Sequence, residues 1–333
     1  MVSLLVLAGC SSNPITAPPP TIPPAQPAGS PPVSQRPAGT VRPLGGRAAA
    51  AIFDAGTAQL VVLCPGADTR TPATVTVLGA ARQPPRVIAL PGPASALTGD
   101  GRGTAYLSAP GGYFTVNLTA GHITRVDVRD AADTEFTAIA RRADGTMVLG
   151  SSAGAVYTLA SETAARAGIA TRTKIFARVD SIVAQGNTTV VLDRGQTSVT
   201  TISPDGNPAY TLRAGLGATT LAADPRGLVL VADTRGGQLL VYGVDPLILH
   251  QAYPVRDAPY GLTGSAELAW VSQTATNTVI GYDLATGMPV EKVRYPTVRQ
   301  PNALAFDDTS GTLYVVSGVG AGVQIIEHAA GPR

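Results

Sequence analysis

The chain has 333 residues, of which only 14% are charged, with 37 glycines and 28 prolines. A formal net charge of +2, an aromatic content of 5% and no basic cluster along the chain exclude an ordinary nucleic-acid surface, which needs concentrated Lys and Arg and often stacking rings. The two cysteines, Cys10 and Cys64, cannot build a disulfide framework if one of them is used elsewhere.

The first ten residues are apolar and end in Leu7-Ala8-Gly9-Cys10, followed by polar Ser11-Ser12-Asn13. This stretch resembles a bacterial lipobox, of the kind found in actinobacterial surface lipoproteins. The resemblance implies that residues 1–9 are a signal peptide removed on export and that the sulfur of Cys10 is diacylglycerylated. The lipid would hold the mature chain on the extracytoplasmic face of a cell membrane. A signal peptide normally opens with a basic segment and an apolar run of about 7–15 residues. No Lys or Arg precedes Cys10 here, so Met1 reads as an internal start.

Residues 10–38 follow as a linker. They carry Pro18-Pro19-Pro20, Pro23-Pro24 and Pro31-Pro32 among Ala, Ser, Thr and Gln, with no periodic apolar face. Such a segment favours extended polyproline geometry, and some thirty residues of it predict a stalk of up to ~90 Å. No later apolar run reaches the ~20 residues that a membrane-spanning helix requires.

From residue 39 to 328 one pattern recurs seven times. A leading aliphatic falls at Ile52, Leu97, Ile139, Ile182, Leu221, Leu262 and Leu304, at spacings of 39 to 45 residues. That period fits a four-stranded propeller blade. Each leading residue is followed by a turn and a strongly apolar run, such as Gln59-Leu-Val-Val-Leu63 or Leu228-Val-Leu-Val-Ala232. These runs are apolar on both faces, as a strand covered on both sides should be. A third run alternates more. The fourth carries charge, as in Val290-Glu-Lys-Val-Arg294, which suits an exposed edge. The seventh unit has only three runs, and Thr40-Val41-Arg42-Pro43-Leu44 is the one segment left to complete it. The expectation is therefore an all-β chain: a seven-bladed β-propeller of four-stranded blades, closed by an N-terminal strand.

Pro301-Asn-Ala-Leu-Ala-Phe-Asp307 followed by Leu313-Tyr-Val-Val316, and Leu221-Ala-Ala-Asp224 followed by Leu230-Val-Ala-Asp233, resemble YVTN/NHL-like propeller repeats. The resemblance covers residues 41–327 and implies a six- or seven-bladed ring. Some propellers of this kind are lactonases, and others hold quinones or metals in the channel.

The chemical motifs are weaker. Gly150-Ser-Ser-Ala-Gly154 has the letters of a nucleophile elbow, but that motif needs a strand-to-helix turn and here joins two strands. Gly99–Gly103 and Gly318–Gly322 also lie between strands, so they read as hairpin turns and not phosphate cradles. His122, His250 and His328 fall in outer runs or the tail, away from any channel. Cys64 ends an apolar run and reads as a small buried hydrophobe. No metal-ligand motif is present, and glutamate is scarce (Glu135, Glu162, Glu267, Glu291, Glu327). No metal or cofactor is therefore expected.

What remains is one rim, made by the loops between second and third strands and by the connections between blades. Its polar residues include Arg129, Asp130, Arg194 and Arg235, with Asp193, Asp233, Arg256, Asp257, Tyr260, Gln273 and Asn302 as candidate ligand contacts. The expectation is a monomeric, non-catalytic binding or scaffold module of the cell envelope, tethered by Cys10, with a protein, glycan or small-molecule partner and no nucleic acid. The alternative is a lactonase-like or cofactor-dependent enzyme with its site in the central channel.

Overall fold

The computed structural model describes residues 19–68, 70–79, 83–160 and 165–331. The lipobox, Cys10 included, lies outside them. Strands form seven antiparallel sheets, and consecutive sheets pack side by side into a ring: the chain is a seven-bladed β-propeller. The innermost strands are Ala50–Asp54, Leu97–Gly99, Phe136–Arg141, Ser181–Gln185, Ala218–Ala223, Pro259–Gly264 and Pro301–Asp307. The seven leading aliphatics of the repeat sit on these strands.

The second runs become second strands, and their two-sided apolar character has a direct cause. Alternate side chains of a strand point to opposite faces. Val61 and Leu63 pack toward blade 2, while Leu60 and Val62 pack toward blade 7. In blade 5, Val229 and Val231 face blade 4, and Leu230 and Ala232 face blade 6. The core is therefore seven separate layers, one at each blade junction. Cys64 is buried in the layer between blades 7 and 1, and burial pushes its thiol pKa up.

The ring closes as the sequence predicts. Thr40–Arg42 pairs antiparallel with Val323–Ile326, matching Thr40 with Ile325 and Arg42 with Val323. Pro43 falls just beyond this strand, where its missing N–H breaks no ladder bond. Leu44 follows and is buried in the junction between blades 7 and 1. Blade 2 gains a fifth strand, Arg166–Ala167, which pairs in parallel with Ile123–Val128 across the junction with blade 3.

One segment departs from expectation. From Ile22 to Ala38 the Pro-rich chain is not a free stalk but a strap laid on the propeller. The Ile22 amide donates to Gly195 O (2.8 Å), the Arg235 guanidinium donates to Pro23 O (2.7 Å), and Asn277 Nδ2 donates to Pro31 O (2.9 Å). Ser30 is buried: its amide donates to Gln300 Oε1 (2.9 Å) and its hydroxyl to Thr274 O (2.5 Å). The physical reason is that an extended Pro-rich chain leaves its carbonyls free, and the rim offers side-chain donors to meet them.

Candidate functional site

Because strands alternate in direction within each blade, the propeller has two unlike faces. The connections between blades and the turns between second and third strands share one face, called here the upper. The turns joining first to second and third to fourth strands share the other. The seven inner strands enclose a central channel of about 660 Å3 that runs between the two. Its wall is mainly Ala, Ile, Leu and Thr, including Ile52, Leu97, Ile139, Ile182, Leu221, Leu262 and Leu304.

Arg141 ends the inner strand of blade 3 at the lower mouth, and a cluster of polar side chains stands at the upper mouth. Asp180 closes the connection from blade 3 to blade 4, and Arg194 opens the adjacent turn. Asp180 Oδ2 accepts from the Arg194 backbone N–H at 2.8 Å, and Asp180 Oδ1 lies 3.3 Å from Arg178 Nε. Burial raises the pKa of Asp180, while this amide and the Arg194 and Arg178 charges oppose the rise. Across the mouth, burial also raises Tyr260, with the Arg194 charge working against it. Asn302, from blade 7, lines the same mouth, and its Oδ1 accepts from Gln300 Nε2 at 3.1 Å. The Arg194 guanidinium donates from Nη2 to the strap carbonyl of Ala25, while its buried Nε has no hydrogen-bond partner. The strap therefore skirts the mouth along the side of blades 4 to 7.

The rim residues singled out from sequence separate into three groups. Tyr260 and Asn302 do meet in the channel, beside Arg194. Asp193 and Asp233 are fully buried and turned into their own loops, away from the channel. Asp193 accepts from the amides of Ala177, Arg178 and Gln196, and Asp233 from those of Leu216, Gly217 and Gly236. Each carboxylate thus braces a turn against the neighbouring connection, where a buried polar group must be satisfied. Gln273 is also buried, donating to Arg256 O (2.8 Å) and accepting from Arg294 Nη1 (3.0 Å). Arg256, Asp257, Arg129 and Asp130 are exposed on the upper face outside the channel.

Two contributors escaped the sequence reading. Asp180 follows Val179 with no motif around it, and nothing in a one-dimensional pattern places it opposite Tyr260. The docking of the strap has no signal in the sequence, because no periodicity marks a chain held through its carbonyls. Of the motifs set aside, Ser151 bonds within its own hairpin, to the amide and carbonyl of Ala155. His122, His250 and His328 are exposed, and none lines the channel. Among the described residues no group of three or more His, Cys, Asp or Glu is placed to hold a metal.

No family model matches the sequence, and no curated protein matches it. Solved structures do match in fold. A streptogramin B lyase structure aligns with a TM-score of 0.67 at 10% identity, over 87% of this chain and 96% of that one. A chain of the mitotic checkpoint complex aligns with a TM-score of 0.72 at 11% identity, over 91% and 98%. A catalytically inactive histidine-to-alanine variant of virginiamycin B lyase from Staphylococcus aureus, with quinupristin, aligns with a TM-score of 0.67 at 12% identity, over 86% and 97%. At such identities the shared property is the seven-bladed architecture, which serves both a lyase and a multiprotein assembly.

Proposed function

We propose that this chain is an exported lipoprotein, held through Cys10 on the outer face of a cell membrane, whose propeller is a binding module that leaves its ligand chemically unchanged. The Leu7-Ala8-Gly9-Cys10 sequence supports the anchor. The observation that carries the binding reading is the upper mouth. Arg194, Asp180, Tyr260 and Asn302 gather over a channel lined by small aliphatic and hydroxyl side chains, and Arg194 keeps a buried donor without a partner. A few convergent polar groups at the mouth of a cavity fix the orientation of a small-molecule ligand. The matching ligand is a small molecule with a carboxylate, phosphate or carbonyl acceptor for Arg194.

The lyase likeness does not carry its chemistry over. The inactive lyase variant differs by one histidine, and all three histidines of this chain lie outside the channel.

Native mass spectrometry of the protein purified from its host tests the reading. The expected result is a small molecule that co-purifies with the wild-type chain and is lost from Arg194→Met. Turnover of a lactone or of a streptogramin B antibiotic by the purified protein would overturn the non-catalytic reading.

A further inference from the structure

The two faces of the propeller differ in charge. Six of the seven connections between blades carry an exposed arginine on the upper face: Arg47, Arg129, Arg178, Arg213, Arg256 and Arg299. These residues are scattered through the sequence, 35 to 82 positions apart, so no run of basic residues betrays them. The fold collects them because every such connection must return to the same end of the ring. Asp68, Asp130, Asp133, Glu135, Asp180 and Asp257 share this face, three of them close to Arg129 and one, Asp180, 3.3 Å from Arg178 Nε, so the cationic character is strongest around Arg47, Arg213 and Arg299. On the lower face the balance is reversed, with Arg102 and Arg226 exposed among a larger number of acids. Asp144, Asp205, Asp245, Glu267, Asp308 and Glu327 are all exposed on its turns or just beyond its strands.

The N-terminal segment leads to the cationic face and not to the acidic one. Its first backbone bond to the propeller is from Ile22 to Gly195, on the upper side. Ile22 lies only twelve positions after Cys10, and at 3.3–3.6 Å per residue that stretch spans at most ~40 Å. Docking of the strap therefore cuts the reach of the anchor to less than half that of a free thirty-residue stalk.

We propose that the upper face is a docking surface for an anionic lipid bilayer, so that the propeller lies with its arginine ring and channel mouth toward the membrane and its acidic face outward. The inference rests on the reading of Cys10 as the lipid attachment site. Two weak attachments combine well: acyl chains insert, and arginines near the surface are drawn to acidic headgroups within a Debye length. The acidic lower face would be repelled by the same surface, which fixes the orientation.

The test uses the full chain with Cys10→Ser, so that no lipid contributes to binding. Its sedimentation with vesicles of phosphatidylcholine alone is compared with that on vesicles containing about 30 mol% phosphatidylglycerol. The expected result is binding roughly tenfold tighter to the anionic vesicles, abolished by high salt. The preference should be lost in the combined Arg47→Gln, Arg178→Gln, Arg213→Gln variant and kept in Arg102→Gln on the lower face, with thermal unfolding confirming that both are folded. Equal binding to the two vesicle types, or an unchanged preference in the triple variant, would overturn the inference. Equally tight binding to free polyphosphate, with no gain from a bilayer, would overturn it too. Acylation of Cys10 is read separately, from the mass of the mature wild-type chain, so that failure of the anchor and failure of the face are told apart.

Discussion

Arg142 shows how single side chains hold adjacent blades together. It lies in the turn between the first two strands of blade 3 and is 1% exposed. Its side-chain hydrogen bonds go to blade 4: Nε donates to Thr189 Oγ1 (2.9 Å), Nη1 to Pro204 O (2.7 Å) and Nη2 to Ser203 O (3.0 Å). Burial pulls its pKa down, and the nearby Asp144 and Asp205 charges oppose this. Arg142→Ala should cost about 3 kcal/mol in denaturant unfolding, since it strands two carbonyls and empties a large volume. Arg142→Lys should rescue little, because a single ammonium cannot replace the guanidinium fork. Asp180 behaves differently, since burial raises its pKa above the ordinary 3.8. An acid whose pKa is raised on folding binds more protons folded than unfolded between the two values. Its contribution is therefore fully present below the unfolded value and is lost as pH rises through the folded one. Asp180→Asn, which keeps an acceptor for the Arg194 amide, should raise Tm at pH 7 and flatten the fall in stability above pH 4.

At the scale of elements, the strap is the one segment whose local sequence misleads. Proline content alone gives an extended conformation, and it gives the strap that conformation on the propeller as well. What composition cannot supply is the partner: Arg235, Asn277, Arg299 and Gln300 lie more than 200 residues downstream. Gln300 is the densest point of contact, accepting from the Ser30 amide and donating to Ala28 O at 2.9 Å. In hydrogen exchange, the amides of Ile22, Ser30 and Ala38 should be protected well above the level of an unstructured chain. Gln300→Ala should release Ser30 while the blade cores stay protected. Exchange at the random-coil rate at all three amides in the wild type would show the strap to be free in solution. The blades themselves were legible because their signal is local. A period near forty residues, two-sided apolar runs and charged outer runs all follow from the burial of one strand relative to its neighbours.

At the scale of the whole molecule, the sequence by itself determined the number of blades, the identity of the inner and second strands, and the closing role of Thr40–Arg42. Each is dictated by hydrophobic periodicity, or by an edge that must be paired. It also marked the rim on which Tyr260, Asn302 and Arg194 stand, because the order of strands within a blade fixes which loops share a face. Only the tertiary structure decided which of those polar residues serve the channel. Asp193 and Asp233 read like Tyr260 in one dimension, yet their carboxylates turn inward to backbone amides while Tyr260 lines the channel within reach of the Arg194 charge. The arginine ring was likewise invisible, since its members are dispersed along the chain and only closure of the ring brings them to one face. Periodicity records which side of an element is buried. Where a loop side chain points, and which distant residue it meets, depends on angles set by the packing of all seven blades together.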